Sequence, residues 1–171
     1  QIILLSYINI LQENGIDELA VLYIEDTDLI KNRILTRKYA KSLSQLNKTD
    51  KAILTLEKFI ESSSIIDREV SFELLMLYLK EERLDYAIPL IEKLIGIDPS
   101  DDDFIFRIAL SCFDNERYNL SEKYFNILLS KFYAPDNINF FLGQIDYKNK
   151  RYDEALLHYQ RIQQGTFVNV K

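Results

Sequence analysis

Glu82-Arg83-Leu84-Asp85-Tyr86-Ala87, Glu116-Arg117-Tyr118-Asn119-Leu120-Ser121 and Lys150-Arg151-Tyr152-Asp153-Glu154-Ala155 are three copies of one short turn signature. Each ends on a small residue, and Ala87, Ser121 and Ala155 stand 34 residues apart. The series extends upstream: Ala52 lies 35 residues before Ala87, and Ala20 lies 32 before Ala52. A near-constant period of this length marks one supersecondary unit stacked several times, because a single such unit cannot bury its apolar face alone. Four residues after each small position comes a bulky apolar side chain, in turn Ile24, Leu56, Ile91, Phe125 and Tyr159. A step of four keeps the same face of a helix.

Twelve residues before the small positions stand Ile8, Ala40, Leu75, Ala109 and Gly143. In a helical hairpin these two positions face each other where the helices approach most closely. Small residues on both sides bring the axes toward the short end of the usual ~8–10 Å range. Ala40/Ala52, Ala109/Ser121 and Gly143/Ala155 meet that condition, and Ile8/Ala20 and Leu75/Ala87 meet half of it. Around the first member run apolar stripes at steps of three and four, among them Leu4, Tyr7 and Leu11, Tyr39 and Leu43, Leu74 and Tyr78, and Ile105, Ile108 and Cys112. That spacing is the buried face of a helix.

The expected organisation is therefore all-α, with about five hairpins over residues 1–164: about 1–30, 31–65, 68–100, 101–134 and 136–164. Residues 165–171 form a tail or the start of a further repeat. Turns are expected at Asn14-Gly15 and near Asn47. Asp98-Pro99-Ser100-Asp101 and Ala134-Pro135-Asp136 read as helix stops followed by caps. The acidic run Asp101–Asp103 lacks the alternating ligands and central Gly of a calcium loop, so it reads as a dipole-stabilised helix start. Pro89 falls in a second helix. With Asp85 as its cap, Pro89 would sit near the first turn and kink the helix mildly.

This pattern resembles the tetratricopeptide repeat family over residues 1 to about 164. Leu142-Gly143, Tyr152, Ala155, Tyr159 and Ile162 fill family positions in the last repeat, and Leu74, Tyr78, Ala87, Ile91, Leu94 and Pro99 fill them in the third. The early Trp often found in such repeats is missing throughout. The resemblance implies a right-handed α-solenoid superhelix whose first helices line a concave groove, through repeat positions two, five, nine and twelve. Carried onto this chain, those positions place Phe72, Met76 and Leu79, then Phe106, Leu110 and Phe113, then Phe140, Gln144 and Tyr147 in the groove. Phe72, Phe106 and Phe140 recur every 34 residues and would form a ladder. In repeat two the same positions put Arg37 and Lys41 there, a basic end. Some family members clamp a terminal carboxylate with such cations, but Leu5 stands where one of them belongs, so a full clamp is not expected.

Composition narrows the function classes. Four Gly and three Pro in 171 residues are too few for the many tight turns of a sandwich or barrel. The net charge of −6 disfavours a nucleic-acid partner in general. The charge is uneven: between Lys31 and Lys58 eight Lys/Arg face only Asp50 and Glu57, a local +6 against −12 elsewhere. Such a stretch is a solvated face or an acceptor for carboxylates. No apolar run approaches the roughly 18–20 residues of a membrane-spanning helix. The single Cys112 allows no intrachain disulfide and no multi-Cys metal site, and a buried inert thiol is its expected state. His158 is the one imidazole, so no His cluster, Cys–His pair or Ser–His–Asp set exists. No Gly-rich phosphate loop is present.

The expectation is a non-catalytic scaffold, with no cofactor and no metal, that binds a peptide or protein segment in an apolar groove with a basic end. An architectural or oligomerising module, its groove filled by its own chain or by a second copy in a homodimer, is the alternative, as is an accessory module of a larger complex. The Asn-, Lys- and Ile-rich composition points to an A·T-rich bacterial source. The start at Gln1 points to a fragment of a longer chain, from the cytoplasm or a bacterial periplasm.

Overall fold

The computed structural model describes residues 2–25 and 32–162. Among the described residues there are ten helices and no strands: α1 (Ile2–Glu13), α2 (Asp17–Glu25), α3 (Arg33–Gln45), α4 (Thr49–Ser62), α5 (Arg68–Lys80), α6 (Leu84–Ile97), α7 (Asp102–Asp114), α8 (Tyr118–Ser130), α9 (Pro135–Lys148) and α10 (Tyr152–Gln160). The expected tail 165–171 lies outside the described residues. The chain divides into two compact units, Gln1–Leu90 and Ile91–Lys171.

Every hairpin turn closes in the same way. Gly15, Asn47, Glu82, Glu116 and Lys150 all adopt positive φ, between 57° and 69°. Each lies five residues before its small position, so the left-handed residue repeats with the period of the sequence. The amide after it donates back to the preceding helix, at 2.8 Å in every case: Ile16 to Leu11, Lys48 to Leu43, Arg83 to Tyr78, Arg117 to Cys112 and Arg151 to Asp146. The left-handed residue itself bonds the carbonyl three residues before it, as Lys150 does to Tyr147 at 3.0 Å. These paired bonds are a Schellman motif, which satisfies carbonyls the helix end would leave open. Only the first turn uses Gly. The second uses Asn47, which tolerates the left-handed region, and the other three hold Glu82, Glu116 and Lys150 there at roughly 1–2 kcal/mol each.

First helices have a second signal. Asn32 accepts from the amides of Ile34 and Leu35, Asp67 from those of Glu69 and Val70, and Asp101 from that of Phe104. Such side-chain caps satisfy amides with no partner inside the helix. Two sequence expectations need correction here. Asp85 does not cap α6, which starts one residue earlier at Leu84, so Pro89 lies well inside the helix. The helix nevertheless runs on to Ile97. Similarly, α9 is not capped by Asp136; Pro135 takes the first position, where its missing N–H costs nothing, after Ala134 in the left-handed region.

The facing small positions are packed as their spacing requires. In the first unit Ile8, Ala20, Ala52, Leu75 and Ala87 are fully buried, and Ala40 nearly so. In the second unit the closeness of the helices is directly visible. The buried Ser121 hydroxyl donates to the backbone carbonyl of Ala109 at 2.9 Å, twelve residues back on the facing helix. At Gly143, a Cβ would stand 2.5 Å from Cε1 of Tyr159 on α10.

Polar joints tie successive hairpins within each unit. In the first, the buried Ser42 hydroxyl donates to Asp17 Oδ1 at 2.6 Å, while Gln12 Nε2 donates to Ser42 Oγ and to the Lys38 carbonyl, both at 2.8 Å. Tyr39 donates to Glu25, which also pairs with Lys51 at 2.6 Å, and Tyr78 donates to Glu57. In the second unit, Arg151 bridges the buried Asp146 of its own hairpin (2.6 Å) and Glu122 of the preceding one (3.0 Å).

His158 completes that second cluster, with Nδ1 2.9 Å from Asn139 Oδ1 and Nε2 3.6 Å from Asp146 Oδ2. Burial is the main influence and pushes its pKa below the usual histidine value, although Asp146 pulls the other way. A base held below its unfolded pKa of about 6.5 carries no penalty above that value. Its contribution is then lost as the pH falls toward the depressed folded value. Thermal melts of the second unit are therefore expected to drop between pH 7 and pH 5, and His158→Gln should flatten that part of the profile. An unchanged profile in the variant would contradict this.

Candidate partner-binding surface

The groove residues expected from the repeat register fall in both units, and each unit is described on its own. In the first unit, Leu79 is fully buried and belongs to the core. Phe72 and Met76 on α5 are half-buried, and Lys41 on α3 is exposed. Arg37 is not a free cation: its Nε lies 2.6 Å from Glu73 Oε1, and its Nη2 lies 3.9 Å from Glu69. Both carboxylates sit on α5, one repeat further along. The basic end therefore keeps Lys41 open and neutralises Arg37 internally. Lys38, unremarked in the sequence, stands beside them. Arg37, Lys41 and Glu73 line one hollow of about 310 Å³, and Lys41 and Met76 line another of about 230 Å³.

In the second unit the expected ladder is altered at Phe106, which is only 3% exposed. It packs against Phe125 (5.7 Å between ring centroids), Tyr133 (5.8 Å) and Phe141 (6.2 Å). A side chain so enclosed holds repeats together and presents nothing to a partner. The residue responsible is Phe141, which follows Phe140 directly and was not among the expected site residues. Its ring stacks on Phe125 with an 8° interplanar angle at 5.3 Å. Phe113 and Phe140 meet the same ring edge-on, at 5.3 and 5.5 Å.

The side chains left part-open are Leu110, Phe113, Phe140 and Gln144, with Tyr147 58% exposed. Two aromatic pairs recur one period apart: Phe113 with Tyr118 (5.8 Å) and Tyr147 with Tyr152 (5.6 Å), both edge-to-face. Tyr118 and Tyr152 were visible in the turn signature, where they stand in the same place, but their partnership needs the closed turn. An edge-to-face pair presents ring face and ring edge together, which suits apolar and weakly polar groups.

Chemistry for catalysis is sparse. Burial pushes the Cys112 thiol up to about 12, so at neutral pH it is not a nucleophile. Among the described residues no group of three His, Cys, Asp or Glu side chains could hold a metal ion. No described helix is long and apolar enough to cross a membrane.

Repeated antiparallel hairpins closed by one turn motif, with a part-open first-helix wall, define an α-helical repeat solenoid. Residues 106–166 match the family model described as tetratricopeptide repeat. That stretch carries tetratricopeptide repeats, and the chain has a tetratricopeptide-type fold, one generally used as a protein–protein interaction scaffold. No curated protein sequence matches it. Among solved structures it is similar to MamA of strain AMB-1, with 18% identity and a TM-score of 0.64 over 93% of this chain and 92% of that one. MamA residues 41 to the end from Desulfovibrio magneticus RS-1 gives a TM-score of 0.67 at 14% identity, over 94% and 91%. YrrB, described as a TPR protein with an unusual peptide-binding site, gives 0.59 at 12% identity over 91% and 80%. At such identities the likeness is one of fold.

Proposed function

We propose that the chain is a non-catalytic scaffold that holds a peptide or protein segment against its first-helix side chains. The observation that carries this reading is the open aromatic wall of the second unit, where Phe113, Phe140 and Tyr147 keep exposed ring surface although Phe106 and Phe125 beside them are buried. Aromatic rings grouped at a surface rather than scattered mark binding sites more often than chance. The first unit, taken by itself, offers a basic and apolar surface at Lys41 and Met76.

Peptides selected by display against the intact chain test it. Phe113→Ala and Tyr147→Ala are each expected to weaken selected peptides by about 1–2 kcal/mol, roughly 5- to 30-fold. Parent-like melting curves would show that folding is intact. Failure to select any peptide, or selected peptides indifferent to both variants, counts against the wall. A second reading, self-association, is favoured by the exposed Ile3, Ile10 and Leu22 of the first unit. Sedimentation over a hundredfold concentration range decides it: a dimer that blocks peptide binding would replace the first reading.

A further inference from the structure

Because the hairpins repeat, each outer face can be compared with its own counterparts. In α3, α5 and α9 the facing positions are Ala40, Leu75 and Gly143, and each of these helices packs on the second helix of the hairpin before it: α2, α4 and α8. Five residues before the facing position stand Leu35, Val70 and Ile138, all fully buried. Ile3 holds that place in α1 and is 85% exposed. One residue before it, Tyr39, Leu74 and Leu142 are buried, whereas Tyr7 is exposed. Two residues after it, Ser42 and Ile145 are buried, whereas Ile10 is exposed. The other side of α1 already puts Ile8 and Leu11 in the core, and Glu13 is the only charged residue of this helix. A helix apolar on all sides is one that is covered on all sides.

The outer face of α10 shows the converse. One residue after the small position of a second helix, Val21 and Ile53 are buried, and Glu122 reaches Arg151 of the following hairpin at 3.0 Å. Leu156 holds that place in α10 and is 55% exposed. Five residues after the small position, Glu25 accepts from Tyr39 and Glu57 from Tyr78, each on the next first helix. Gln160 stands there in α10, exposed.

The α2–α3 junction fixes how the two open faces would meet. There Tyr39 donates to Glu25, and the Ser42 hydroxyl donates to Asp17. On α1, Tyr7 stands where Tyr39 does and Ile10 where Ser42 does; on α10, Gln160 stands where Glu25 does and Tyr152 where Asp17 does. The exchange is matched on both sides. A tyrosine hydroxyl still meets an acceptor, and where a hydroxyl met a carboxylate an aliphatic side chain now meets an exposed ring. None of these four side chains is charged, so the contact buries no unpaired charge.

We propose that α10 of one copy of this chain receives α1 of a second copy, in the manner of the α2–α3 junction. The inference gives the self-association considered above one defined form and rests on that reading. Phe113 and Phe140 lie on neither helix, so the peptide-binding reading is independent of it. A contact between two different faces is heterologous, which lets a third copy join the second.

Sedimentation velocity of the full chain over a hundredfold concentration range should show species growing beyond the dimer. Ile10→Glu disables the α1 face, and Ile3→Glu repeats that test at a still more exposed position. Leu156→Glu disables the α10 face. Each variant alone should associate at least tenfold more weakly, with a circular dichroism spectrum like the parent's. An equimolar mixture of Ile10→Glu and Leu156→Glu should restore dimers with the parent's affinity and stop there, because one intact face of each kind remains. A mixture no larger than its components, or variants that associate like the parent, would overturn the proposal. Leu156→Glu dimerising as tightly as the parent while Ile10→Glu does not would put α1 against α1; that outcome sinks this contact and leaves self-association standing. A parent that stays monomeric throughout would remove both.

Discussion

Phe125→Ala is expected to lower the unfolding free energy of the second unit by about 3–5 kcal/mol, the usual range for truncating an enclosed aromatic. The ring is fully buried. It stacks flat on Phe141 at 5.3 Å and meets the Phe106 edge at 5.7 Å. Removing it deletes the transfer energy of a whole ring and leaves a cavity between α7, α8 and α9 that rigid helices cannot close. The two ring pairs it makes contribute beyond their area, at about 0.5–1.5 kcal/mol each. Since a domain is stabilised by only about 5–15 kcal/mol in total, the loss is a large share. Urea unfolding followed by circular dichroism gives the magnitude. Amide exchange gives the location: protection should fall first in α7–α10, because in a repeat array each unit depends chiefly on its neighbours. A loss below about 1 kcal/mol would mean that the ring is not enclosed as described.

Gly143→Leu should destabilise the same unit by about 3 kcal/mol, at the upper end of overpacking effects. In an open helix the sign would be opposite, since glycine is about 1 kcal/mol worse than alanine. Gly96 supplies that comparison. Nothing lies within 4 Å of a Cβ added there, and Gly96→Ala near the end of α6 should stabilise by about 0.5 kcal/mol. At Gly143 the first added atom already meets three ring atoms of Tyr159, at 2.5, 2.8 and 2.9 Å. Either the ring leaves its place or α9 and α10 separate. Tyr159→Ala should therefore rescue part of the loss, and the coupling measured in the double-mutant cycle should exceed about 1 kcal/mol. Additive effects would show that the clash is relieved elsewhere.

Turns illustrate how much could be read beforehand. The signature at Glu82, Glu116 and Lys150 located three of the five hairpin turns, yet nothing in Glu or Lys marks a left-handed residue. Local rules would place Gly or Asn there, and only Gly15 and Asn47 obey. The paired turn hydrogen bonds hold Glu82, Glu116 and Lys150 in that conformation. Pro89 is a similar case: local rules place it near a helix start, whereas α6 begins at Leu84 and carries the proline inside.

The candidate surface was legible in part. Lys41, Met76, Phe113, Phe140 and Tyr147 keep exposed surface, while Phe106 and Leu79 do not. Repeat register assigns a side chain to a face of its helix but cannot say how far the next helix folds over it. Phe141 decides this for Phe106, and Glu73 decides it for Arg37. Both deciding residues sit one repeat further along, in positions that look unremarkable on their own.

The periodic small residues and apolar stripes by themselves determined that this protein is a run of helical hairpins, because a period of about 34 with helical spacing has one compact way to bury its apolar face. Only the tertiary structure decided which wall residues stay open and which charges are already paired. Exposure and ion pairing depend on neighbours in space, and in a repeat array those neighbours come from the following unit.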